Sequence, residues 1–245
     1  MKNMANKSSL VVLGCTATVT ALYIILKHFV SQGEDDEKKD IENGVLNLIK
    51  RRRSVFPKQY NGDPVPEYVI KSMLEAARWA PTHHLTEPWH FIVYSNSKSR
   101  QQVGQFLADN YKIVSTEKGK YSQKKYDKKL KNAESSSHII AICLHRKPDS
   151  KCSEVEEICS VAAAVQNMTL VATEHGVGSY WSSASVFENE KKNERIFANS
   201  KAILEFLDLP TKESTCLGWL FVGGCSIDCF RNGIRKPIED KVEYR

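Results

Sequence analysis

The 245-residue sequence has no C-x-x-C pair, and its seven cysteines (Cys15, Cys143, Cys152, Cys159, Cys216, Cys225, Cys229) are odd in number and irregular in spacing. That pattern speaks against a disulfide-stapled scaffold or a zinc ribbon, since Cys225 and Cys229 stand four apart with no second pair to complete a metal site. The cysteines read instead as reduced thiols, with Cys143 and Cys159 placed in apolar runs and expected in the core. G-x-x-x-x-G-K-[ST], a helix-opening G-x-G-x-x-G, H-E-x-x-H and G-x-S-x-G are all missing. P-loop enzymes, dinucleotide-binding Rossmann domains, zincins and α/β-hydrolases lose their support with them. Internal repeats are absent, and so is the regular strand–helix alternation of a doubly wound sheet. Neither charge sign dominates: 35 Lys and Arg face 29 Asp and Glu, for a net +6. A balance this mild suits an anionic small molecule or an acidic membrane surface and on charge alone leaves nucleic acid open, although no nucleic-acid partner is expected.

One long stretch lacks charge. Residues 8–26, SSLVVLGCTATVTALYIIL, contain no charged side chain and have about the length needed to cross a bilayer. They read as an uncleaved, single-pass N-terminal transmembrane helix within an anchor spanning residues 1–31. More lysines follow the run than precede it, so the expected localisation is the membrane, with the rest of the chain in the cytosol. QGEDDEKKDIEN, residues 32–43, is a polar linker, and a folded domain is expected over 44–245.

Within that domain the periods alternate irregularly. VLNLIKRRR and PVPEYVIKSMLEAARWA have helical spacing, the second with an apolar face through Val69, Ile70, Met73, Leu74 and Ala77. HFIVYS is a short strand, and HIIAICL and TCLGWLFVGG are buried-type strands. Residues 98–111 read as helix, and the lysine-rich 117–131 as helix or mobile segment. SEVEEICSVAAAVQNMTLVATEHG carries an N-cap at Ser153, a capping-box Glu156 and a stop at Gly176. Being apolar almost all round after Ile158, it should lie centrally. VGSYWSSA leads out of it as a turn, and RIFANSKAILEFLDL is helical in period. The fold class is α+β: a central, short-stranded mixed or antiparallel sheet flanked by helices, with one long buried helix.

Four places carry candidate chemistry. Arg51-Arg52-Arg53-Ser54 offers guanidinium forks and a hydroxyl suited to a phosphate, or else a basic helix end. Ser182-Ser183 after Trp181 can present hydroxyls and N–H groups to a planar heterocycle, or else form an ordinary polar strand end. Arg235-Lys236-Pro237 is a second cationic point. RWAPTHHLTEPWHFIVY, residues 78–94, places His83, His84 and Glu87 between a helix and a strand. No cysteine or carboxylate cluster at ligand spacing accompanies these histidines, so a metal site is not expected.

Arg52-Arg53-Ser54, Ala80-Pro81 with Pro88-Trp89-His90-Phe91, Gln166-Asn167-Met168 with Ala172, Gly176-x-Gly178-x-x-Trp181 and Arg235-x-Pro237 occur in the order seen in the nitroreductase family. Over residues 44–245 the chain resembles that family, and the Trp181 stretch resembles its small, minimal members. The resemblance implies an NAD(P)H-dependent FMN oxidoreductase of nitroreductase-like fold, acting on nitroaromatics, quinones or activated alkenes, with NADH or NADPH as donor. It implies a homodimer with FMN at the interface. Arg52, Arg53 and Ser54 would then hold the phosphate and ribityl chain, Arg235 would add a phosphate contact, and Trp181, Ser182 and Ser183 would line the isoalloxazine. His83 and Glu87 would reach in from the other subunit. Glu87 replaces the family's usual Gln or Asn, and an ionised carboxylate can only accept a hydrogen bond. Thr86-Glu87-Pro88-Trp89 is also similar to the iodotyrosine deiodinase branch, which leaves reductive dehalogenation as an alternative. Glu117 and Tyr121 have a spacing that would suit that branch's lid. A flavin-binding sensor without turnover is a further alternative.

Overall fold

The computed structural model describes Lys27 and residues 44–183, 185–189, 194–197, 201–231 and 233–245. The chain divides into two compact units, residues 1–49 and 50–245. Of the first, only Lys27 and residues 44–49 are described.

The N-terminal transmembrane helix and the membrane localisation are corrected by the structure. Among the described residues no helix is long and apolar enough to cross a membrane, and the stretch 8–26 lies outside them. A lack of charge says how a segment is solvated. A span also needs an unbroken helix that satisfies its own backbone groups, and charge counting does not test that.

In the second unit, four antiparallel strands form one sheet in the order β1 (Trp89–Tyr94), β2 (His138–His145), β6 (Ser214–Gly224), β3 (Val177–Ser183). β2 and β6 are the central strands and are buried along nearly their whole length. Their side chains alternate between two apolar layers, as a strand covered on both faces requires. Ile140, Ile142, Leu144, Leu220 and Val222 meet α2 (Glu67–Arg78) and α5 (Glu154–Glu174). Ile139, Ala141, Cys143, Trp219 and Phe221 meet α3 (Ser97–Glu117), α4 (Gln123–Ser135) and α6 (Lys201–Phe206). Each fully buried Ile, Leu or Met contributes roughly 1.5–3 kcal/mol of hydrophobic stabilisation.

The apolar stripe on α2 is the predicted one: Val69, Ile70, Met73 and Ala77 are buried. The capping box on α5 is also present. Ser153 Oγ accepts from the Glu156 amide, and Glu156 Oε2 accepts from the Ser153 amide at 3.0 Å. α3 starts at Asn96, whose side chain accepts from the Ser99 amide at 2.8 Å. On the far layer, Phe106 of α3 stacks on Phe206 of α6 with ring centroids 4.1 Å apart.

Three local expectations change, and the reading of the lysine-rich stretch is refined. Cys159 is exposed, because the face of α5 that carries it is not covered by the sheet. Residues 177–183 are a sheet strand, not a turn, since β6 supplies a partner for each of their backbones. Among the described residues of 195–209, helix is confined to Lys201–Phe206; β5 (Glu194–Phe197) pairs with β4 (Ser185–Asn189). The lysine-rich stretch divides into the end of α3, a turn and α4. α4 packs closely enough that a Cβ on Gly104 would lie 2.6 Å from Ala133 Cβ.

β6 carries one irregularity with consequences for the site. Its register against β2 shifts between Ile142 and Cys143, which leaves Leu217 as the extra residue of a bulge. Gly218 beside it has φ +147°, and a Cβ there would collide with Trp181 Nε1 and Ser182 O. The bulge therefore lets β3 approach β6 where Trp181 and Ser182 lie.

Candidate functional site

α1 (Val45–Arg51) ends before the predicted cationic cluster is complete. Arg52 and Arg53 lie just past its end, and the chain continues along β3, where the Val55 amide donates to Ser179 O at 2.9 Å. Arg51 leans on Glu174, at the C-terminal end of α5, with a 3.9 Å ion pair. The C-terminal segment returns to the same place. The Gly233 amide donates to Lys50 O, and a Cβ on Gly233 would lie 2.6 Å from the Arg53 guanidinium nitrogens. Arg235 follows two residues on.

Three guanidinium groups thus share one small region. Burial first, then the charges of Arg53 and Arg235, push the Arg52 pKa below its ordinary value. No ion pair among the described residues involves Arg52, Arg53 or Arg235. The hydrogen bonds they make run to neighbouring carbonyls, Arg53 Nη1 to Arg52 O and Arg235 Nη1 to Ile234 O. Arg53 Nη2 and Arg51 Nε are buried without a partner. Partly desolvated, mutually repelling cations with unused N–H donors are complementary to an anion with several acceptor oxygens, such as a phosphate. The residues present therefore fit the phosphate end of a mononucleotide.

Trp181, Ser182 and Ser183 pair through β3 with Leu220, Trp219 and Gly218 of β6. The Trp181 ring is half-buried against the α2/α5 layer, and its Nε1 donates to Leu217 O at 3.3 Å. Ser54 is exposed beside the β3 edge. The irregular segment that carries Arg52, Arg53 and Ser54 thus runs on into Val55 beside β3, the strand of Trp181, Ser182 and Ser183, and the C-terminal segment adds Arg235.

His83 and Glu87 lie elsewhere. The His83 ring stacks on His84 with centroids 4.2 Å apart, and His83 Nδ1 is 3.2 Å from Glu156 Oε1 in the first turn of α5. Their loop is held in an unusual form. His84, Leu85 and Glu87 have φ of 52°, 52° and 46°, and the Glu87 amide donates to Thr82 Oγ1 at 3.2 Å. Pro81, Thr82 and His83 line an open cavity of about 390 Å³ with Cys159 and Ser160 of α5. Glu156 and Glu174 mark opposite ends of one helix, so at 1.5 Å per residue the His83 loop and the arginine cluster lie roughly 27 Å apart within a chain. No group of three or more His, Cys, Asp or Glu among the described residues could hold a metal ion.

A polar network missed in the sequence shapes this end of α5. Arg146 Nε donates to buried Glu157 Oε2 at 2.6 Å, Arg146 Nη2 to Cys152 O at 2.8 Å, and Ser150 Oγ to Glu157 Oε1 at 2.8 Å. Glu157 sits inside an otherwise apolar period, and that lone carboxylate was the available signal for a buried ion pair.

The Nitroreductase family model matches residues 49–224, and the chain belongs to the nitroreductase family. "Putative NAD(P)H nitroreductase YfhC" of Bacillus subtilis is 27% identical over 146 residues, covering 59% of this chain and 72% of that protein. Iodotyrosine deiodinase of Daphnia pulex is 36% identical over 59 residues, covering 24% of this chain and 19% of that protein. Among solved structures, the FMN-dependent nitroreductase NfnB from Mycobacterium smegmatis in complex with NADPH superposes with a TM-score of 0.59 at 16% identity, covering 84% of this chain and all of that one. At that identity the likeness is one of fold.

Proposed function

We propose that this chain is an NAD(P)H-dependent FMN oxidoreductase that reduces nitroaromatic, quinone or activated-alkene acceptors. The observation that carries the reading is the cluster of half-buried Arg52 and Arg53 with exposed Arg235, which has no carboxylate partner among the described residues and has donors to spare. These three side chains and Ser54 would hold the phosphate and ribityl groups of FMN. Ser182, Ser183 and the half-buried Trp181 would lie along the ring. A bound flavin supplies hydride uptake from NAD(P)H and delivery to the acceptor, so the protein needs no catalytic dyad of its own. The tasks left to the chain are to orient, to exclude water and to offset negative charge on the reduced ring with fixed donors and cations.

His83 and Glu87 stand too far from the arginine cluster of their own chain to share one mononucleotide with it. Their place in the family pattern is met if two copies pair and the loop of one subunit covers the flavin of the other. The folded domain of residues 44–245 would be the unit that pairs.

A second reading, reductive dehalogenation, draws on the 59-residue match to the Daphnia deiodinase. In this structure the Tyr121 hydroxyl donates to Gln123 Oε1 at 2.6 Å, and Glu117 ends α3 four residues earlier.

The test is the absorption spectrum of the purified full chain, followed by NAD(P)H oxidation with menadione or a nitrofuran. The expected result is a yellow protein with about one FMN per subunit and turnover with at least one of these acceptors. A colourless protein that takes up no added FMN overturns the reading. Halide release from an iodotyrosine with a chemical reductant, without menadione turnover, favours the second reading.

A further inference from the structure

We propose that Cys225 and Cys229 form a reversible thiol–disulfide pair, closed by a small-molecule disulfide such as oxidised glutathione, which fastens the root of the C-terminal segment to the end of the sheet. Cys225 is the first residue after β6; it forms an isolated bridge with Tyr60, and its Sγ donates to Gly176 O at 3.9 Å. The chain then turns back. The Cys229 amide donates to Ser226 O at 3.0 Å, and Ser226 Oγ accepts from the Asp228 amide. This 3₁₀ turn, Ile227–Phe230, returns Cys229 toward the strand that it has just left. Gln59, the neighbour of Tyr60, donates through Nε2 to Cys229 Sγ at 3.9 Å. The Cys229 sulfur and the Cys225 backbone thus meet the same short segment, Gln59–Tyr60, and the Cys229 thiol lies close enough to raise the Cys225 pKa.

Access separates this pair from the other cysteines. Cys143 and Cys216 also face each other, across β2 and β6, but both are fully buried. Cys152 is buried, with its thiol toward His83 O. Cys159 is exposed and has no hydrogen-bonded sulfur neighbour among the described residues. Cys225 and Cys229 are both partly exposed. Among the described cysteines this pair alone combines a sulfur partner with a route for a reagent.

The chemistry balances as two exchanges. The Cys229 thiolate attacks one sulfur of oxidised glutathione, forming a mixed disulfide and expelling one glutathione thiolate. Cys225 then loses its proton and attacks the Cys229 sulfur, expelling the second glutathione. The protein gives up two electrons and two protons, and one oxidised glutathione becomes two reduced. Burial, then the adjoining Cys229, hold the Cys225 thiol up at about 12, which keeps it protonated, so Cys229 attacks first and closure by Cys225 is the slower step. The closed ring spans only Ser226–Asp228, so its effect is local. It pins the turn ahead of buried Phe230, from which the chain runs on to Gly233 and Arg235.

The full chain is equilibrated with excess oxidised or reduced glutathione, acid-quenched, denatured, labelled with N-ethylmaleimide and digested with trypsin. Residues 213–231 form one tryptic peptide holding Cys216, Cys225 and Cys229. The expected product under oxidised glutathione carries one maleimide, on Cys216, and lacks two hydrogens. Under reduced glutathione it carries three. Cys225→Ser is expected to leave a persistent glutathione adduct on Cys229. Hydrogen exchange on the same samples should be slower over residues 230–245 in the oxidised form, by severalfold. Three maleimides under oxidised glutathione, a bond to Cys216 or between chains, or unchanged exchange over 230–245 overturns the proposal.

Discussion

At the scale of single residues, the arginine cluster and the buried histidine respond to change in opposite ways. Arg53 contributes a buried donor with no protein partner, so its removal costs little in the protein alone and much in the complex. Arg53→Ala is expected to weaken FMN binding by roughly 10–100-fold, the worth of one charge-assisted hydrogen bond of about 1.5–3 kcal/mol. Titration of FMN fluorescence against the apoprotein checks this; an affinity within twofold of the parent removes Arg53 from the site. His138 is buried at the start of β2, with Nδ1 3.1 Å from Ser137 Oγ and Nε2 3.8 Å from Glu67 Oε2. Burial lowers its pKa below the ordinary 6.5; Glu67 opposes that shift and Arg100 adds to it. The folded state therefore takes up this proton later than the unfolded chain as pH falls. The contribution to stability is whole above 6.5 and is lost as pH drops below 6.5 toward the folded pKa. His138→Asn should flatten that part of a urea-midpoint-against-pH curve, and an unchanged slope would count against the assignment.

At the scale of elements, the bulge at Leu217–Gly218 is the joint between the sheet and the proposed ring-binding edge. A side chain at 218 would combine a strained φ with a collision against Trp181 and Ser182. Gly218→Ala is expected to cost about 2–4 kcal/mol, the sum of a strained backbone site and an overpacked one. Denaturant unfolding measures it, and a loss under about 0.5 kcal/mol would show that β3 shifts freely. The connector at 81–87 depends on a different device. Thr82 ties down the Glu87 amide from within and Cys152 donates to His83 O from outside, and these two contacts hold a loop with three positive φ values. Glu87, where the chain leaves the family's usual Gln or Asn, is thereby displayed on the surface.

At the scale of the molecule, large apolar side chains remain exposed: Trp79, Leu85, Ile234 and Tyr244 are each more than two-thirds accessible. Together with the roughly 27 Å between the His83 loop and the arginine cluster, this surface supports a two-copy assembly. Sedimentation equilibrium should return twice the 27.7 kDa chain mass, and dilution to monomer should release FMN. A monomer that retains FMN at full stoichiometry would overturn the shared-site reading.

What the sequence determined by itself was local. The α2 stripe, the Ser153–Glu156 cap, the short first strand, the two buried-type strands and the order of motifs all follow from spacings within a few residues, where periodicity and capping act. Tertiary structure decided the rest. Residues 177–183 became a strand because β6 offered backbone partners, a fact that sits some forty residues away in the chain. Cys159 became exposed because an apolar helix has no label for the face that the sheet leaves bare. The uncharged run at 8–26 invited a membrane span that no helix among the described residues supports. The meeting of Arg52, Arg53 and Arg235 also needed the fold. Their like charges repel, so no local preference draws them together; the sheet edge and the returning C-terminal segment hold them there, where an anion can offset the repulsion.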